Sequence, residues 1–260
     1  MKKLLIFFMI SLLILTTGCQ NNDKVLYIAT TTSLDNSGLL EYLIPRFEEE
    51  YGIKCNVVAV GTGAAIELGK EGQVEILLVH DIERELKFVE DGYGTKRNNI
   101  MYNDFIIIGP SILNGETLDE ALSEIIDNHS FYSRGDNSGT HSKELSLWEL
   151  HGFDVSSFTD FYFETGQGMG STITMADLSE YFTLSDRATY LSMLENISLV
   201  IGYENPNELK NQYGVIKVNP ELYSKTDEYA ELFYNWILRD DVQQLITEYE
   251  KYETQLFYID

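Results

Sequence analysis

Hydroxyl side chains and glycines recur in this sequence where an apolar run gives way to an amphipathic one. "ATTTSLDNSG" (Ala29–Gly38), "VGTGAAIEL" (Val60–Leu68), "SRGDNSGTHSKEL" (Ser133–Leu145) and "ETGQGMGSTITMAD" (Glu164–Asp177) all read as strand-to-helix corners. Glycine lets backbone approach a ligand closely, and Ser or Thr caps a helix start. The first N–H groups of a helix lack intrahelical partners and sit at the positive end of its dipole. Several such ends, with hydroxyls interleaved, can hold a tetrahedral dianion largely with neutral donors. Each charge-assisted bond is worth about 1.5–3 kcal/mol net, so a converging set binds tightly where one helix end would not.

The residues that could do this are Thr31, Thr32 and Ser33 at the first corner and Thr62 with Gly63 at the second. Arg134, Ser138, Gly139 and Thr140 stand at the third, and the Gly168–Ser171 turn with Met169 at the fourth. Taken singly, each has an ordinary alternative: Thr31–Ser33 and Thr62 as plain caps, "GQGMG" as a hinge loop, Arg134 as an ion-pair partner of Asp136. Repetition of one device at separate corners favours the anion. Arg134 is the one charged donor in the set, a rigid and permanently protonated guanidinium. The nearest carboxylates, Asp35 and Asp136, are expected to turn outward or to cap helix N–H groups. A site made only of donors refuses hydrogen phosphate, whose O–H would find no acceptor.

Other chemistries fit poorly. The histidines are His80, His129, His141 and His151, and none follows a metal-ligand spacing. His141 is the one expected near the corners, as a first-turn residue facing solvent. There is no G-x-S-x-G elbow, and "GQGMGST" lacks the lysine of a phosphate loop. An enzyme is therefore not expected, and no cofactor. The formal net charge of -24 makes nucleic acid an improbable partner. Of the two cysteines, Cys55 alternates with Ile53 and Val57 as a small buried strand residue, so no disulfide framework exists.

The elements that must position these corners alternate in α/β fashion, with a largely parallel sheet expected. Strands are expected over Val25–Ala29, Asn56–Val60, Ile76–Val79, Phe105–Gly109, Ser130–Ser133, Phe161–Glu164, Ser198–Gly202 and Gly214–Val218. Helices are expected over Leu39–Tyr51, Ala64–Lys70, Ile82–Asp91, Leu118–Asn128, Lys143–His151, Ile173–Glu180, Ala188–Glu195 and Glu228–Tyr249. Before them, Lys2 and Lys3, an apolar run from Leu4 to Leu15 and "TTGC" form a lipoprotein signal over residues 1–18. Cys19 would carry the lipid, with 19–24 as a tether, placing the chain outside the cytoplasm. Crossings at Gly109-Pro110 and within Gly202–Gly214 divide the rest into lobe 1 (25–108 and 209–260) and lobe 2 (109–208), so the chain begins and ends in one lobe.

"ATTTSLDNSGLL", "VGTGAAIELGKEGQVEILLVHD", "GYGTKRNNIMYNDFIIIGP", "SRGDNSGTHSKELSLW" and "ETGQGMGSTITMADLSEYFTLSDRATYL" together resemble the tungstate-binding proteins of tungstate-selective ABC importers. The likeness runs from Val25 to Pro220. It implies a two-lobed type II periplasmic-binding-protein fold, each lobe a mixed sheet flanked by helices, closing over WO₄²⁻. It also implies an ABC permease and its ATPase as partners, with the membrane reached through the N-terminal lipid. By the same resemblance Thr31, Thr32, Ser33, Thr62, Gly63, Ser138, Gly139 and Thr140 line the ion site, and Arg134 is its charged ligand. Alternatives left open are molybdate, a phosphate-like oxyanion, or a small organic anion, for which Met169 and Tyr102 would supply apolar lining. Preference for tungstate over molybdate rests on the resemblance alone.

Overall fold

The computed structural model describes residues 24–223 and 227–260. The proposed signal segment 1–18 and Cys19 lie outside the described residues. In chain order the elements are β1 (Val25–Thr31), α1 (Thr32–Ser37), α2 (Leu39–Tyr51), β2 (Lys54–Val60), α3 (Thr62–Lys70), β3 (Ile76–Val79) and α4 (Ile82–Glu90). Then come β4 (Gly94–Gly109), α5 (Leu118–Asn128), β5 (Phe131–Ser133), α6 (Gly139–Leu150), β6 (Tyr162–Glu164), α7 (Met169–Ser179), β7 (Phe182–Asp186) and α8 (Arg187–Met193). The chain ends with β8 (Val200–Tyr203), β9 (Lys210–Val218), α9 (Glu228–Ile237), α10 (Asp240–Thr247) and a small hairpin of β10 (Glu250–Lys251) and β11 (Thr254–Gln255). Among the described residues no helix is long and apolar enough to cross a membrane.

Strand order in the main sheet is β2-β1-β3-β9-β4-β7-β5-β6, with β8 also on β4. The pairs β1–β2, β1–β3, β5–β6 and β5–β7 are parallel, whereas β9 and β4 run antiparallel to their neighbours. The sheet is thus mixed. β4 belongs to both halves: Gly94–Asp104 pairs with β9, and from Phe105 the strand pairs with β7 and β8. It starts well before the expected Phe105, because "GTKRNN" is polar and only the long ladder to β9 reveals it as a strand.

Successive strand side chains point to opposite faces, so each half needs cover on both sides. In the first half Ile28, Ile76, Leu78 and Val215 face α2 and α9 with Leu43, Phe47, Phe233 and Trp236. Ala29, Leu77, Val79 and Ile216 face the other way, onto Ala65, Ile66 and Phe88. In the second half Phe105, Ile107, Phe131 and Leu184 pack on Leu118, Leu122 and Trp148, while Ile106 and Ile108 pack on Met169, Ile173 and Tyr190. Removing a buried ring such as Phe47 would cost about 3–5 kcal/mol.

Two expectations fail for local reasons. The C-terminal helix is broken, since Arg239 adopts an extended φ of -69 and ψ of 144 before α10. Its guanidinium there bonds Glu50 and Asp241. Cys55 is half-buried, because β2 is an edge strand with only partial cover.

Candidate anion-binding site

A groove between the halves is lined by His80 and Arg84 after β3, by Gly139 and Lys143 of α6 and by Asn211 of β9, beyond the carboxyl end of a parallel strand, the usual ligand position in open α/β sheets. At the first corner Thr31 is the cap of α1, with Oγ1 accepting from Leu34 N at 3.3 Å. Ser33 Oγ lies 3.1 Å from Thr31 Oγ1 and 3.3 Å from His80 Nε2. Thr32 is exposed and Thr30 turns into the sheet, donating to Leu78 O. Asp35 is exposed.

At the second corner Gly61 caps α3 by backbone alone, which leaves the Thr62 hydroxyl unused. Thr62 is 1% exposed and its Oγ1 bonds nothing. Gly63 follows it on the same turn, with Arg84 Nη1 3.5 Å from where a Cβ would stand.

The third corner is the most constrained. Gly135 (φ +59) and Asn137 (φ 57) are left-handed, and a Cβ on Gly135 would meet Glu164 Cβ at 2.6 Å. Asp136 accepts from Ser138 N at 3.1 Å and from Arg134 Nη2 at 2.5 Å. Burial raises Asp136, but its bonds to Ser138 and Arg134 outweigh that and hold it below the usual carboxylate range. Ser138 caps α6 by accepting from His141 N. Thr140 is buried behind it. Arg134 is divided: Nη2 is paired, whereas Nε is buried with no partner.

The fourth corner leans on the third, since Thr165 N and Gly166 N donate to Ser133 O and Arg134 O. Thr165 Oγ1 and Thr172 Oγ1 bond each other at 2.9 Å. The Met169 side chain packs with Ile106, Ile108 and Ile173 and so belongs to the core. Tyr102 stacks on Tyr258, and neither side chain forms an apolar lining for an organic anion.

Gly139 joins the halves. A Cβ there would stand 2.7 Å from His80 Cε1, 2.9 Å from Thr62 Oγ1 and 3.1 Å from His80 Nε2. The start of α6 is therefore seated directly on the second corner and on the end of β3. Across the same seam Arg84 Nη1 donates to Asn137 O at 3.3 Å.

Buried polar groups almost always have partners, so the exceptions are informative. Among the described residues they are Thr62 Oγ1, Asp81 Oδ2, Arg97 Nη2, Arg134 Nε and His141 Nε2. Asp81 Oδ2 and Arg97 Nη2 lie 3.3 and 2.9 Å from ion-pair partners, Arg84 and Glu85. What remains is Thr62, Arg134 and His141, from the second and third corners. The carboxylates nearby are engaged: buried Asp186 accepts from Thr189 N and Oγ1, and half-buried Asp136 is bonded as above.

Residues 20–241 match the family described as PBP superfamily domain. The chain is 44% identical over 241 residues to the tungstate-binding protein TupA of Peptoclostridium acidaminophilum, covering 88% of this chain and 84% of that one. It superposes on the tungstate-binding protein TupA of Desulfovibrio alaskensis G20 with a TM-score of 0.80 at 42% identity, over 90% and 97% of the two chains. A structure described as the tungstate ABC transporter from Geobacter sulfurreducens gives 0.79 at 40% identity, over 87% and 99%. The chain belongs to the tungstate-binding proteins of the PBP superfamily.

Within this tungstate-binding family member, sequence reasoning missed three residues that the fold brings to the crevice. His80 directly follows β3 and touches both halves, although the sequence places only His141 near the corners. Arg84 adds a second guanidinium beside Gly63. Asn211 bonds His80 Nδ1 at 2.9 Å from the far end of the chain. "ILLVHD" does end a strand before a helix capped by Asp81, but it lacks the Gly and hydroxyl signature of the other corners. His141 is buried rather than solvent-facing, because α6 begins at Gly139 and folds that first turn under the loop, where Asn137 N donates to its Nδ1. Burial pushes His80 down to about 4, against the pull of Asn211 and Asp81, with Arg134 adding to the fall, so the ring is neutral at ordinary pH.

Proposed function

We propose that this protein captures tungstate in the crevice between its halves, as the solute-binding component of an ABC importer. The observation that carries the reading is the pair of buried donors without partners, Thr62 Oγ1 and Arg134 Nε, at corners that Gly139 packs together. A tetrahedral dianion there would accept from Thr62, from Arg134, from the free N–H groups at the starts of α3 and α6, and from the Thr31–Ser33 hydroxyls. Ser138, which caps α6 by accepting from His141 N, and Thr140 would add hydroxyl donors. Hydrogen phosphate is disfavoured because its O–H would have to compete for Asp136 and Asp186 with the helix-start N–H groups those carboxylates already accept.

Lobe 1 (25–108 and 209–260) and lobe 2 (109–208) then open and close about β4 and β9, and the ion shifts that equilibrium by binding the closed arrangement better. On this reading the bond from Arg84 to Asn137 is one that the closed form would make and the open form would lose. Delivery is to a membrane permease driven by an ATPase, from a chain held outside the cytoplasm by lipid on Cys19. We read the protein as a binding protein and not an enzyme. Isothermal titration of the mature chain against tungstate, molybdate, sulfate, phosphate and small carboxylates tests the reading. Tungstate is expected to bind most tightly, and the absence of any tungstate heat or thermal shift would overturn it.

A further inference from the structure

His80 stands outside every corner motif, yet it touches the first corner through Ser33 and the third at Gly139. Asn211 Nδ2 donates to Asn103 Oδ1 at 2.7 Å, so the Asn211 oxygen is the atom turned toward the ring. The proton of the neutral ring is then on Nδ1, and Nε2 has only a lone pair. Ser33 must donate to it across 3.3 Å. Thr31 Oγ1, which already accepts from Leu34 N, is left to donate to Ser33. The hydroxyl protons of the first corner therefore run head to tail toward the ring.

We infer that His80 is a positioning residue for this site: clamped by Asn211 where the halves of the sheet join, it aims the Ser33 and Thr31 protons, and an oxyanion that draws those protons to itself does so with uptake of a proton on Nε2. This rests on the oxyanion reading above. When the Ser33 proton turns to an ion, the Nε2 lone pair is left buried without a donor, which weakens binding. A proton taken from solvent onto Nε2 removes that loss, since the ring then donates to Ser33 Oγ while Ser33 donates to the ion.

The charges around the ring are Asp81, which favours the added proton, and Arg134, which opposes it. Arg84, Glu83, Lys143 and Lys210 line the groove of about 470 Å³ on its open side, together with Asn211 and Gly139. The Tyr213 ring packs on His80 at 4.8 Å between centroids, and its phenol is also tied to Ser33 and lies in the field of Asp186, while Asp186 lies in the field of Arg134. A dianion at the corners adds negative charge next to the ring and tips this balance toward the proton. The sign follows: affinity rises as pH falls.

The test is calorimetric titration of the full mature chain with sodium tungstate from about pH 8 to about pH 5.5, in buffers of different ionisation enthalpy. The parent protein is expected to gain roughly tenfold in affinity across that range, with uptake approaching one proton. His80→Leu, which has no lone pair to strand, is expected to bind at least as tightly as the parent near pH 8, to fall about fivefold or more below it near pH 5.5 and to show a flat profile. His80→Gln, whose amide donates to Ser33 without titrating, is expected to keep close to the tighter affinity of the parent at low pH across the whole range and also to be flat. Thermal unfolding checks that both variants fold, and the buffer series on the parent alone decides the matter if they do not. A parent with no proton uptake, or a slope that survives in the leucine variant, would overturn the role of His80 while tungstate binding itself stood. A parent that bound no tungstate would bring down the oxyanion reading and this inference with it.

Discussion

Replacing Thr62 by valine removes one oxygen and keeps the side-chain shape. Thr62 is 1% exposed and its hydroxyl has no hydrogen-bond partner. A buried polar group left unpaired costs about 1–3 kcal/mol, so Thr62→Val should stabilise the empty protein by about 1 kcal/mol. For a chain of this size that corresponds to a rise in Tm of about 2–4 °C. With the ion bound, the same hydroxyl becomes a charge-assisted donor worth about 1.5–3 kcal/mol, so tungstate affinity should fall roughly 10- to 150-fold. One substitution thus moves stability and affinity in opposite directions, which ordinary loss of packing does not do. Thermal scans with and without tungstate read both quantities, since ligand at about 100 times Kd adds about 2.7 kcal/mol to the parent. A valine variant that melts lower when empty and binds tungstate as before would show Thr62 to be a plain helix-start residue and refute the reasoning.

Arg134→Ala should weaken tungstate binding at least tenfold, because a charge-assisted bond worth more than about 1.4 kcal/mol disappears; unchanged affinity by titration would remove Arg134 from the site. Gly139→Ala places a Cβ 2.7 Å from His80 Cε1 and 2.9 Å from Thr62 Oγ1. It should hold the halves apart, lowering affinity and enlarging the radius of gyration of the tungstate-loaded protein in solution scattering, and a parent-like radius would contradict it. Glu144, buried under Trp148 and Tyr162, is pushed up to about 7 by burial. The native state then holds a proton that the unfolded chain, with its value near 4.5, has released, so this group makes stability fall as pH rises between those values. Glu144→Gln, which keeps an acceptor for both rings, should gain Tm relative to the parent as pH rises through that window, and a constant difference would count against it.

Much of the architecture was legible because it is written in short-range pattern. Leu39–Tyr51 and Leu118–Asn128 appear with the bounds expected, since apolar spacing and flanking residues such as Gly52 and Thr117 are local signals. β4 was half hidden, because its polar first part is a strand only by virtue of the β9 ladder. The break at Arg239 depends on a glutamate from α2, which no periodicity in Glu228–Tyr249 announces.

The site divides in the same way. Sequence alone determined the hydroxyl- and glycine-rich helix starts, the presence of Arg134 among them, and the family to which their order points, because capping and backbone approach are properties of a few consecutive residues. Tertiary structure decided which atoms of those residues are free: Nη2 of Arg134 is taken by Asp136 and Nε is not, and the Thr62 hydroxyl is idle because Gly61 needs no side chain to cap α3. It also decided that His80, Arg84 and Asn211 join them, since His80 meets Asn211 across 131 positions of chain. Donor satisfaction is a sum over everything that packs around an atom, and that sum exists only once the two halves of the sheet have come together.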